Sequence, residues 1–193
     1  THAAGAPERG RSALDGVEVM NYMMNMMREH IPSASRIHYV IPKGGEAPNV
    51  VPANAEVYYF FRHPDMRVVK DLLDRSIKAA EGAAMGTGTS MSYEMTGGSF
   101  NILPNKILSK VVHANLEMVG GVDYTEEEHL FAETLMNTFN SEGLSPEMAA
   151  SVAPFSISEI AGNYSTDAGD VSWIVPLVSM SAATWPPGTP GHS

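Results

Sequence analysis

Seven histidines and no cysteine set the side-chain chemistry open to this sequence. Without thiols, disulfide scaffolds, thiol nucleophiles and cysteine-bound zinc fingers are excluded together. Imidazole suits zinc ligation, so the histidines are the first candidates for chemistry. His2 and His192 sit in loops of small residues, glycine and proline, the setting in which functional side chains are displayed. His30 falls in the last turn of a predicted helix, where a cation complements the helix dipole. His38, His63, His113 and His129 occupy strand, turn or helix-surface positions without metal-ligand spacing and read as structural. No glycine-rich phosphate loop, His-Glu-x-x-His helix or Gly-x-Ser-x-Gly elbow occurs. Spacing alone therefore yields no self-contained catalytic constellation.

The elements that must hold these residues begin with a helix over residues 12–31. Ser12 and Asp15 have the spacing of a capping box, and Leu14, Val17, Met20, Met24, Met27 and Ile31 mark one face. Val19, Met23 and Met26 widen that stripe, which predicts cover on more than one side. The methionines read as core filler rather than as an adaptable binding surface. Arg36 to Ile41 alternates with period two, and Val57 to Arg62 gives a second, aromatic-rich strand. Pro64 opens a second helix with Met66, Val69, Leu73, Ile77 and Ala80 on one face. Met91, Tyr93 and Met95 alternate in a third strand. Helix, strand, strand, helix, strand is a ferredoxin-like unit lacking its first strand. That strand would precede Thr1, so the chain reads as an internal piece of a longer protein.

Beyond residue 100 the pattern changes. Residues 106–120 and 126–140 read as helices, the second with a Thr125–Glu128 capping box. Residues 167–176 pass from a Gly/Asp loop into a short apolar strand. We expect one domain over 1–100 and a second over 101–193. The 193 residues carry a net charge of −10 and 44% apolar residues. That composition is globular, and its charge repels phosphate backbones and anionic lipid, which argues against nucleic-acid and membrane partners. No apolar run reaches the length of a membrane-spanning helix.

Four stretches carry a resemblance. They are His2-Ala3-Ala4-Gly5-Ala6-Pro7 through Asp15; Ala47-Pro48-Asn49-Val50-Val51-Pro52 followed by the strand ending in Arg62; Ser165-Thr166-Asp167-Ala168-Gly169-Asp170-Val171-Ser172; and Pro187-Gly188-Thr189-Pro190-Gly191-His192. In this order they resemble the dizinc aminoacylases and glutamate carboxypeptidases, a family of metallopeptidases. The resemblance implies an α+β chain: a ferredoxin-like lid and dimerisation domain, its first strand missing, plus the C-terminal part of an α/β metallopeptidase catalytic domain. It implies hydrolysis of the amide of an N-acyl or N-aroyl amino acid, with glutamate as the favoured amino acid, by a homodimer or a pair of related subunits.

The resemblance also implies roles. His2 matches a lid histidine that stabilises the oxyanion in the partner subunit's site, Asn49 a residue that hydrogen-bonds substrate, and Arg62 an arginine that clamps the substrate carboxylate. His192 matches the last metal ligand, and Asp167 and Asp170 orient the metal site from behind. The family's two metals are zinc, with manganese as the alternative; the other ligands and the general-base glutamate fall before the lid. On this reading the fragment alone is inactive, and its parent is cytoplasmic, export being left open. From the residues alone, Arg62 is equally a solvated strand-end arginine and Asn49 a turn residue. The rival reading is a non-catalytic dimerisation module whose sheet edge pairs with another copy.

Overall fold

The computed structural model describes residues 1–157 and 165–191. The chain divides into two compact units, Thr1–Asn101 and Ile102–Ser193. Both are built from helices with, in the first, a small antiparallel sheet, so the chain is α+β.

In the first unit, Ser12 caps helix α1 (Ala13–Met27) by accepting from the Asp15 amide at 3.2 Å. A single 3-10 turn, Arg28–His30, ends it before Pro32. Strands β1 (Arg36–Lys43) and β2 (Glu56–Arg62) pair antiparallel with Ile37 opposite Phe61, Tyr39 opposite Tyr59 and Val40 opposite Tyr58. Pro42 lacks a ladder donor, and the register breaks between Val40 and Lys43. Helix α2 (Met66–Thr87) starts at Asp65 and stops at Gly88, whose φ of 67° is a left-handed cap that glycine adopts without a Cβ penalty.

Alternation along the strands sends Ile37, Tyr39, Tyr59 and Phe61 toward the helices. There Met24, Ile37 and Leu72 are almost wholly enclosed, with Met20, Met27, Ile31 and Val68 packed around them. Met24 and Ile37 thus join helix and sheet in one apolar layer, which is the main source of folding free energy in a unit this small. The methionine face of α1 forms as expected. Val19 and Met26 stay exposed, so the wider stripe finds no second cover among the described residues. On α2 the buried line is Leu72, Ser76, Ala79 and Ala83, one residue out of phase with the expected Leu73, Ile77 and Ala80. Small residues let α2 approach the bulky methionines of α1, and the enclosed Ser76 hydroxyl is satisfied by donating to Leu73 O at 2.7 Å.

The expected third strand does not form: residues 89–105 hold no ladder, and Tyr93 and Met95 are exposed. A period-two segment becomes a strand only where a neighbour offers it a ladder, and among the described residues none pairs with 89–105. The sheet is two-stranded.

In the second unit, helix α3 (Lys106–Val119) is capped by the Asn105 side chain. Helix α4 (Glu126–Met136) carries the reciprocal Thr125–Glu128 capping box, and ends short of the expected residue 140. Two short helices follow, α5 (Glu147–Ala150) and α6 (Ala168–Ser172). Local ties hold the unit: the Val122 amide donates to Ala150 O at 2.8 Å, and the Leu103 amide to the Ser172 hydroxyl at 2.8 Å. The apolar strand expected before Pro176 is replaced by α6 and a closing turn, in which the Ile174 and Val175 amides donate to Val171 O and Ile174 is 84% exposed. No described residue of α3 is buried, and Trp173 and Trp185 are more than half exposed.

Candidate functional site

The chain before α1 lies against the loop between the two strands. His2 forms an isolated antiparallel bridge with Val50; the Ala3 amide donates to Asn49 O at 2.9 Å, and the Val51 amide to Thr1 O at 3.0 Å. His2 and Asn49, distant in sequence, are thereby neighbours in one exposed corner. The Asn49 loop is shaped by Gly45, whose φ of 125° is left-handed and where a Cβ would stand 2.9 Å from Pro52. A shallow concavity beside the corner is lined by Ala3, Gly10, Arg11, Asp15, Gly45 and Val50.

The His2 ring is held by backbone. Its Nδ1 accepts from the amides of Ala4 and Gly5, each at 3.1 Å, and its carbonyl accepts from the Ala6 amide at 3.2 Å. No pattern of side-chain letters announces such a cradle, because its donors are main-chain groups.

Arg62 belongs to a different cluster. It ends β2 on the face turned away from the helices, with its guanidinium 5.7 Å from the Phe60 ring centroid. Phe60 and Tyr58 line that face with centroids 5.1 Å apart, and His38 stands opposite Phe60. Directly across the ladder from Arg62 is a second arginine, Arg36, whose Nη1 donates to Ser33 O and Ser35 O. Like charges on one rung oppose pairing, so the turn carbonyls that take up the Arg36 charge are part of what holds this end together. No spacing in the sequence pairs Arg36 with Arg62, since only the strand register sets the two opposite.

Asp170 lies in the short helix α6 and Asp167 immediately precedes it, the Asp170 amide donating to Asp167 O at 3.0 Å. His192 lies outside the described residues. Among the described residues no group of three or more histidine, aspartate and glutamate side chains stands close enough to hold a metal. The described residues therefore do not themselves fit a zinc or manganese centre. Other histidines have local partners: His113 with Glu117 and Phe155, His129 with Tyr124 and Glu147, and His63, whose Nδ1 accepts from the Asp65 amide. Among the described residues no helix is long and apolar enough to cross a membrane.

Residues 1–85 match the family model described as the peptidase dimerisation domain. It is 34% identical over 216 aligned positions to one of the subunits of p-aminobenzoyl-glutamate hydrolase from Escherichia coli K12, an alignment that takes in all of this chain and 45% of that protein. Similarity to the human Xaa-Arg dipeptidase is 27% over 179 residues, covering 91% of the chain and 34% of the dipeptidase. Indole-3-acetyl-aspartic acid hydrolase of Enterobacter agglomerans is 27% identical over 104 residues, covering 54% of the chain and 24% of the hydrolase. The chain spans less than half the length of these relatives.

Proposed function

We propose that this chain is the lid and the returning C-terminal segment of an amidohydrolase that cleaves the amide of an N-acyl or N-aroyl amino acid. The observation that carries this reading is the 34% identity to the p-aminobenzoyl-glutamate hydrolase, which extends along the entire chain. The names of the three relatives each contain an amide-linked amino acid: glutamate in one, aspartate in another and arginine in the third. In this reading residues 1–100 are the lid and 101–193 part of the catalytic domain, and the lid is ferredoxin-like once a first strand fills the place beside β2. The uncovered face of α3 and the apolar tail after α6 then pack against the rest of that domain. His192 would supply one ligand to a zinc centre whose other ligands lie elsewhere, and Asp167 and Asp170 would orient it from behind.

The chain's own residues would work on the substrate as follows. Arg62 takes the carboxylate in a forked pair of charge-assisted hydrogen bonds, from a strand end that needs little reorganisation. The Asn49 side-chain amide orients the substrate, and His2 donates to the oxygen that gains charge as water adds to the amide carbon. Because His2 and Asn49 share one corner and Arg62 another, the two clusters would serve different ends of the substrate. A homodimer, or a related partner protein, completes the site.

The test uses the full-length enzyme that carries this chain. A charge-assisted pair is worth about 1.5–3 kcal/mol, so Arg62→Ala should lower kcat/KM for an N-acyl amino acid by about 10- to 150-fold. It should do far less to the same amide with its carboxylate esterified. Arg62→Lys should recover only part, since an ammonium keeps the charge without the fork. Equal losses on free and blocked acids would show Arg62 to be structural. The rival reading, a non-catalytic dimerisation module, draws on the family match to residues 1–85; it requires full-length protein that dimerises and hydrolyses neither substrate.

A further inference from the structure

We propose that His2 acts as a neutral hydrogen-bond donor, its tautomer fixed by the backbone amides of Ala4 and Gly5. The inference rests on the reading of His2 as the oxyanion donor and adds the protonation state in which it works. A ring nitrogen that accepts from N–H groups carries no hydrogen itself, because two hydrogens cannot share one lone-pair direction. Nδ1 accepts from two such groups, both at 3.1 Å. The ring's single hydrogen is then on Nε2, and among the described residues no group accepts from Nε2.

The cradle is held from both sides. The Ala3 amide on Asn49 O and the Val51 amide on Thr1 O pin the peptides flanking residue 2, and the Ala6 amide on His2 O closes the turn. A Cβ built on Gly5 would meet His2 Cβ, Cγ and Nδ1 at 3.6 Å, an ordinary contact. Alanine therefore fits at position 5 and keeps the amide donor, whereas proline removes it. A donor set by main chain needs no proton from solution and no carboxylate behind it to choose the tautomer. It offers Nε2–H to a developing oxyanion already oriented, and orientation before reaction is where such donors gain their effect.

The first measurement needs only this chain. Long-range proton–nitrogen correlation spectra of histidine-labelled protein at about pH 8, above the ordinary histidine value of about 6.5, separate the tautomers. The His2 signals are assigned by their absence from His2→Gln protein. The expected pattern is a pyridine-type Nδ1 and a pyrrole-type Nε2, unchanged in Gly5→Ala and drawn toward averaged values in Gly5→Pro. A pyrrole-type Nδ1, or averaged nitrogens in the unmodified chain, overturns the proposal whatever Gly5→Pro does.

The second measurement uses the full-length enzyme. Glutamine places its amide nitrogen near the position of Nε2 and asparagine near that of Nδ1, so His2→Gln should retain more kcat than His2→Asn. Removing the donor in His2→Ala should cost about 10²–10³ in kcat. Losses in His2→Ala combined with pyrrole-type signals at both nitrogens, the imidazolium, would leave the donor role standing and remove the neutral form. An unchanged rate in His2→Ala would overturn the donor role and this proposal together.

Discussion

Tyr59 reaches from the inner face of β2 to donate to Asn21 Oδ1 on α1, a hydrogen bond from a half-buried phenol to a buried side chain. Removing its hydroxyl would leave the Asn21 carbonyl enclosed without a partner, at a cost of about 1–3 kcal/mol. We therefore expect Tyr59→Phe to lower the urea midpoint of the first unit, although the ring's packing is kept. Burial pushes the Tyr59 phenol above its ordinary value of about 10, and Tyr39, 5.2 Å away ring to ring, adds in the same direction. A raised phenol favours the folded state fully below pH 10, and that contribution is lost as pH rises beyond it. Alkaline unfolding should start later in Tyr59→Phe than the midpoint loss alone would imply; an identical alkaline profile would refute this account. The same scale shows what residue letters conceal. His2, Asn49 and Arg62 are visible through the motifs around them, but the His2 cradle is made of amides and the Arg36–Arg62 opposition of strand register. Neither has a letter of its own.

Helix α2 begins where Asp65 accepts from the Arg67 amide at 2.9 Å and grips the Arg67 guanidinium through both carboxylate oxygens. Those side-chain bonds, with the amide second, hold the Asp65 carboxyl down at about 2. Its contribution is complete above the ordinary carboxylate value of about 3.9 and drains away as pH falls toward 2. Asp65→Asn keeps a capping oxygen without the charge. Chemical denaturation at pH 7, 4 and 2 should show the variant losing less stability across that span than the parent, and equal losses would dismiss the ion-assisted cap. At this scale helix placement was largely legible, because caps such as Ser12 and Thr125 and the period of the methionines are local signals; the second helix, expected to open at Pro64, instead starts at Met66 behind the Asp65 cap. The buried line of α2 was not, because Ser76, Ala79 and Ala83 are chosen for closeness to α1 and look unremarkable in a hydrophobic count. Residues 91–95 and 173–176 read as strands for a further reason: alternation reports a preference, while a ladder needs a neighbour.

For the whole molecule, the two units differ in how much they enclose. The first surrounds Met24, Ile37 and Leu72, whereas in the second Met136 is the large apolar residue that is buried among those described. Ile107 and Met118, on one stripe of α3, are 78% and 77% exposed. If that face belongs against further catalytic domain, Ile107→Glu with Met118→Lys should leave the melting of the isolated chain within about 0.5 kcal/mol, as surface changes do. In the full-length enzyme the same pair should cost several times more, by placing charges in an apolar contact. Matching small effects in both proteins would mean that α3 is a free surface.

Both indoles of the sequence, Trp173 and Trp185, belong to the second unit, whereas five of its seven tyrosines, 22, 39, 58, 59 and 93, belong to the first. The chain is thus optically partitioned. Indole emission excited at the red edge follows the second unit alone, and its exposure there makes it accessible to aqueous quenchers. Phenol absorbance follows chiefly the first unit, and the Tyr39–Tyr59–Phe61 stack gives that signal a chiral environment which vanishes when helix and sheet part. A single sample therefore carries two colours of report, one for each half of the polypeptide.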